Sequence, residues 1–94
     1  MTNPENIKNI TTLLTQAGSA HHVYEQTVLN GVYDQDWSNW YADYLVQHAL
    51  NSLLPRSLNV AEVSQLLASS TAQYKAADSS QSWAEYTAAH FANI

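Results

Sequence analysis

Two glycines and two prolines are all that punctuate this chain of 94 residues. Gly and Pro mark most turns, and a sandwich or barrel of short strands needs many of them. So sparse a supply leaves long uninterrupted segments, and apolar residues recur along them at steps of three and four. The chain therefore reads as all-α: a small bundle of about five helices, one domain over residues 1–94. A chain of this size buries roughly 64% of the surface it exposes when unfolded, enough for one core without covalent staples.

The helices follow from caps and periodicity. Asn3-Pro4 opens the first, Ile7, Ile10, Leu13, Leu14 and Ala17 give its apolar face, and Gly18 is placed to end it. Ser19 then caps a second helix, with Ala20, Val23, Tyr24, Thr27 and Val28 on one side, running to Asn30-Gly31. Asn-Gly between short apolar runs is also a hairpin signal. The helical face before it, and the weakness of a lone two-stranded ribbon, favour a helix end and loop. A third helix runs from Asp36 to Leu54 and stops at Pro55. Trp37, Trp40, Tyr41, Tyr44, Leu45 and His48 make an aromatic stripe on it, with Ala42, Val46, Ala49, Leu50 and Leu53 opposite. A helix apolar on two sides belongs at the centre of its domain or against a partner. Asn59 and Glu62 form a capping box for the fourth helix, whose Ser69-Ser70-Thr71 are poor helix formers at a point where a break is tolerated. Ser82, with Glu85 three residues on, caps the fifth, which is expected to pack against the third.

Trp37, Trp40, Tyr41, Tyr44, Leu45 and His48 align with Trp83, Tyr86, Thr87, His90, Phe91 and Ile94. Two pseudo-repeated helix–loop–helix units after a leading helix would produce this match.

Composition narrows the chemistry. Cysteine is absent, which removes disulfides, thiolate metal sites and thiol catalysis. Lys8, Arg56 and Lys75 are the only cations against eight acids, a net charge of −5. No basic patch for nucleic acid can be assembled from them. No apolar run reaches membrane-span length, and the opening residues lack a basic-then-apolar signal region, so an acidic cytoplasmic protein is expected. Asn, Gln, Ser and Thr fill 32 positions, and three Trp and six Tyr outnumber one Phe. Trp and Tyr carry a polar tip on a large apolar body and suit partly wet surfaces as well as cores.

Catalytic and metal patterns are missing. His21 and His22 point about 100° apart on a helix and lack the spacing of a metal pair. His21 lies one turn before Glu25 and His22 turns to solvent, so they read as an exposed surface pair. Asp34-Gln35-Asp36 lacks the rest of an EF-hand, and Asp36 is accounted for as a cap. No nucleophile elbow or phosphate loop occurs. No cofactor is therefore expected.

What remains is the aromatic stripe. Trp37, Trp40, Tyr41 and Tyr44, with His48 and His90 at stripe ends, are the candidate ligand or interface residues beside plain core packing. The function expected is a non-catalytic protein-interaction module, in the first place a homodimer, with another protein as the other partner. The alternative is a small-molecule binder or modest enzyme taking an apolar or aromatic ligand into a Trp/Tyr-lined pocket between the third and last helices, His48 or His90 at its edge.

Overall fold

The computed structural model describes residues 4–78 and 80–94. Four α-helices follow one another: α1 (Pro4–Thr27), α2 (Trp37–Gln47), α3 (Val60–Ala77) and α4 (Trp83–Ala92), with a 3-10 turn at Leu50–Leu53 after α2. No strand occurs among the described residues. Asn3, read as the first cap, and Ser79, in the loop before α4, lie outside them. No helix is long and apolar enough to cross a membrane among the described residues.

The first two expected helices are one. α1 runs through Gly18-Ser19 without interruption for 24 residues. Ile10, Leu14, Ala17 and His21 are all buried at helical spacing across that point, so one stripe continues where a cap was expected. A glycine inside a helix costs roughly 1 kcal/mol relative to alanine, which this continuous burial offsets. Gly18 faces Tyr41, whose hydroxyl oxygen would lie 3.5 Å from an added Cβ. α1 ends at Asn30-Gly31, where φ values of 53° and 83° turn the chain and the Gly31 N–H donates to the Glu25 carbonyl at 2.8 Å. The pair closes a helix and turns no hairpin.

The third expected helix is shorter than the apolar pattern implied. α2 stops at Gln47, and Ala49 takes a left-handed φ of 68°. That conformation costs an L-residue about 1–2 kcal/mol. The surroundings hold it: Asn51 Nδ2 donates to the Leu58 carbonyl at 3.0 Å, and the Leu58 N–H donates to Asn51 Oδ1 at 2.9 Å. The break sends Leu50 into the core and leaves Ala49 exposed. The second apolar stripe is thus divided by a turn. Asp36 stands at the N-terminus of α2 but makes no side-chain cap; its Oδ1 accepts from Asn39 Nδ2 at 2.6 Å.

α3 begins with the expected capping box between Asn59 and Glu62. It passes through Ser69-Ser70-Thr71 unbroken, because Ser70 is buried against α4 with its hydroxyl 3.4 Å from that of Thr87. A small side chain at this position lets the two helices approach. α4 is capped by Ser82, whose Oγ accepts the Glu85 N–H at 3.2 Å. It packs mainly on α1 and α3, and toward α2 its Trp83 ring meets that of Tyr41 edge to face at 5.7 Å. Ala84, Ala88 and Ala92 recur every four residues along α4 and face the interior, Ala88 fully buried and the other two half-buried, and Phe91 is fully buried.

The core is aliphatic. Ile10, Leu14, Leu45, Leu50, Val63 and Leu67 are fully enclosed, with Phe91 the one large aromatic among them. Trp37, Tyr41, Tyr44 and Trp83 pack around this cluster as half-buried neighbours. Ala42 and Leu45 on α2 and Ala88 and Phe91 on α4 are all fully buried, which does not establish the expected pseudo-repeat. The helices that precede the two stretches differ, at 24 and 18 residues.

Candidate functional site

The loop after α1 folds back along the helix it leaves, and one histidine organises it. His21 is 7% exposed. Its Nε2–H donates to Asp34 Oδ2 at 2.9 Å, and its Nδ1 lies 3.7 Å from Glu25 Oε1. The Asp34 N–H donates to Glu25 Oε2 at 3.2 Å, and the Asp36 N–H donates to Asp34 Oδ1 at 2.9 Å. Two carboxylates and a histidine thereby tie residues 34–36 to α1. A buried ring of this kind requires such partners. The expected exposed pair is therefore half right: His22 is exposed and His21 is a buried strut. Glu25 one turn on was visible in the sequence, whereas Asp34 reaches His21 only through the Asn30-Gly31 turn.

Around His21 the aromatic residues gather: Trp40 at 5.0 Å and Tyr41 at 4.9 Å between ring centroids. From here the stripe divides in two. Trp37 and Tyr41 turn inward and meet edge to face at 5.7 Å. With Trp83, Glu25, Thr71 and Lys75 they line an open cleft of about 320 Å³. Trp83 is held by its Nε1–H, which donates to Thr71 Oγ1 at 2.8 Å. Burial, and then the nearby Glu25 carboxylate, push the Tyr41 phenol above its ordinary pKa of 10.0. Tyr41 therefore stays neutral at any physiological pH.

The other half of the stripe runs from half-buried Trp40, through Tyr44, which still packs on the core, to exposed His48. Trp40 and Tyr44 stack at 5.6 Å with planes 14° apart, and Tyr44 and His48 stack at 3.9 Å with planes 16° apart. Tyr24 of α1 adds a fourth ring, 5.5 Å from Trp40. The His48 Nδ1–H donates to the Tyr44 carbonyl at 2.7 Å, fixing the last ring of the ladder. Trp40 and Tyr44 are half-buried and His48 exposed. Beside the ladder a second depression holds Asp34, Asp36, Asn39 and Asp43.

His90 belongs to neither group. It sits between α3 and α4, with Nδ1 3.0 Å from the Tyr86 carbonyl and Nε2 3.1 Å from Gln73 Oε1. The open cleft at the Trp37–Tyr41–Trp83 junction is also lined by α1 and α3, and the histidine in it is His21, not His48 or His90.

The apolar exposure is concentrated in one stretch. Val23, Val28, Val32 and Tyr33 are 57–68% exposed, and Val23 and Val28 were expected to share a buried helix face. Val23 is exposed between buried His21 and half-buried Tyr24 and Glu25, so it lies on the solvent side of α1. No residue from 9 to 55 is Lys or Arg, while Glu25, Asp34, Asp36 and Asp43 all lie in that span. Among the described residues no group of three His, Cys, Asp or Glu side chains is placed to hold a metal ion. No family model, no curated protein and no solved structure matches the chain.

Proposed function

We propose that this protein is a non-catalytic interaction module that binds another protein through the end of α1, the following loop and the outer side of α2. The observation that carries this is the exposure of Val28, Val32 and Tyr33 at the end of α1 and in the loop after it, where Tyr33 lines the cleft with Trp37 and Tyr41. Large apolar side chains left in water next to Trp and Tyr have the makeup of an interface core, where aromatic anchors supply most of the binding energy. The His21–Asp34 strut gives the loop a fixed shape before any partner arrives, which lowers the ordering cost of binding.

Homodimerisation is the simplest form of this reading and the two-fold pair its default geometry. Through this same surface it is disfavoured, because it would bring Asp34, Asp36 and Asp43 of two copies into one interface. A heterologous partner fits better. The aromatic cleft supports the small-ligand alternative, but about 320 Å³ of open space is at the low end for a ligand pocket.

Selection from a random displayed-peptide library tests the proposal. We expect enriched peptides that lose binding to a Val28→Asp/Val32→Asp variant while that variant melts like the parent chain. Enriched peptides indifferent to the variant, or none at all, would contradict the interaction reading.

A further inference from the structure

We propose that Asn30 is a site of spontaneous chemical modification: its side-chain amide is displaced by the Gly31 nitrogen, and the isoaspartate that results releases the loop after α1 from the His21–Asp34 strut. This goes beyond the interaction reading and stands whether or not the loop binds a partner.

The residue after an asparagine decides whether the next main-chain nitrogen can reach its carboxamide. Of the eight asparagines, six are followed by Pro, Ile, Trp or Val. Proline has no N–H to lose, and the bulky side chains obstruct the approach. Asn30-Gly31 and Asn51-Ser52 remain, and the structure separates them. Asn51 is clasped at both ends of its amide: Nδ2 donates to the Leu58 carbonyl at 3.0 Å and Oδ1 accepts the Leu58 N–H at 2.9 Å. Asn30 is exposed, and its amide has no hydrogen-bond partner among the described residues. A Cβ built on Gly31 would meet nothing within 4 Å, so the turn has open space to rotate into. The attacking nitrogen is restrained by its N–H bond to the Glu25 carbonyl, at 2.8 Å. That bond closes the end of a helix, where local opening costs least.

Once the bond opens, the Gly31 nitrogen gives its proton to solvent and attacks Asn30 Cγ. The N–Cγ bond forms, the Cγ–Nδ2 bond breaks, and the amide nitrogen takes up a proton from solvent and leaves as ammonia. Water then opens the cyclic imide. Opening at the side-chain carbonyl gives aspartate; opening at the main-chain carbonyl, the faster route, gives isoaspartate. One water is consumed and one ammonia released, with no change of oxidation state. Either product places a carboxylate at the C-terminal end of α1, where the helix dipole disfavours it. Isoaspartate also routes the main chain through the former side chain and lengthens it by one methylene between Asn30 and Asp34. The turn with φ values of 53° and 83° at Asn30 and Gly31, which brings Asp34 Oδ2 back to 2.9 Å from His21 Nε2, is then lost.

Incubation of the full chain in mildly alkaline buffer, followed by proteolysis and tandem mass spectrometry, tests this. We expect the amide-to-acid mass gain at Asn30 and none at Asn51 over the same period, with labelling by an isoaspartyl methyltransferase marking isoaspartate as the larger product. Conversion should quicken with rising pH, because the attacking nitrogen must lose its proton. Urea sufficient to unfold the chain should speed conversion at Asn30 about tenfold, the factor held back by one hydrogen bond, and should open Asn51 to it as well. Hydrogen exchange reads the consequence. Residues 34–36 should exchange severalfold faster in the isoaspartate form, separated from the parent by anion exchange. Asn30→Asp, which carries the charge without the extra methylene, should exchange there like the parent. Conversion in the folded chain no faster at Asn30 than at Asn51 would overturn the site. An Asn30 rate unchanged by urea would overturn the restraint assigned to the Gly31 N–H. Exchange in residues 34–36 as slow in the isoaspartate form as in the parent would overturn the release of the strut.

Discussion

Phe91 and Trp40 are both aromatic, yet their surroundings are assembled in opposite ways. Phe91 is fully buried within an otherwise aliphatic cluster. Trp40 is half-buried among rings with polar tips, next to carboxylates and a buried histidine. The first environment gains stability by removing apolar surface from water. The second removes less, and spends its geometry on holding rings and charges at a defined surface. The difference teaches where an aromatic count translates into core and where it does not: six of the seven largest fully buried residues are aliphatic.

Removing the enclosed region should have the largest effect. A chain ending at Ser82 loses Thr87, Ala88 and Phe91, all fully buried, and uncovers Ser70. Each large buried side chain is worth roughly 3–5 kcal/mol, against a total stability of about 5–15 kcal/mol. We expect no cooperative thermal transition by circular dichroism. A cooperative melt near the full-length temperature would mean that α4 is an appendage.

The strut of the wetter region should matter less. Asp34→Ala removes the acceptor from His21 Nε2–H and should destabilise by about 1–3 kcal/mol. His21→Ala and the double variant complete a cycle whose coupling measures the pair directly. Urea denaturation gives the energies, and hydrogen exchange should show faster amide exchange in residues 34–36. Additive single effects would mean that the contact is incidental.

Gly18→Ala should stabilise by about 0.5–1 kcal/mol, because Gly18 lies inside a helix at a helical φ. The added methyl meets Tyr41 Oη at an ordinary contact distance of 3.5 Å. Gly18→Val, which extends further toward Tyr41, should lose the gain. Destabilisation by alanine would show that the Tyr41 ring sits tighter on α1 than its geometry implies.

The smallest effect appears at high pH. Tyr41 is raised in the folded state by burial and by Glu25, so above pH 10 the unfolded chain releases this proton before the folded chain does. The unfolded state then binds fewer protons, and stability falls as pH rises from 10 through the folded pKa. Tyr41→Phe should flatten that decline in melting temperature relative to the parent; an unchanged slope would contradict the assignment.

Much of this was legible in the sequence because it is local. The Asn59–Glu62 and Ser82–Glu85 caps depend on residues three apart, and both form as read. The all-helical class followed from periodicity. Long-range contacts decided the rest. Gly18 resembles a helix end until Tyr41 is seen against it, and Ala49 resembles mid-helix until Asn51 is seen clasping Leu58. The candidate residues were gathered by one stripe, but packing separates Trp37 and Tyr41 in the cleft from Trp40, Tyr44 and His48 on the ladder. His90 goes elsewhere altogether. His21 was passed over because its partner Asp34 comes from beyond a turn, thirteen residues away.

The central claim is that the aliphatic interior carries the fold while the Trp40 ladder is surface available for binding. Urea denaturation of Leu45→Ala and Trp40→Ala, two substitutions on the same helix, tests it most directly. Leu45 is fully buried, so its truncation should cost about 2–5 kcal/mol. Trp40 is half-buried and sits apart from the aliphatic cluster, so its loss should cost no more than about 1–2 kcal/mol despite the larger side chain removed. A Trp40→Ala penalty equal to or above that of Leu45→Ala would make the ladder part of the core and contradict the account.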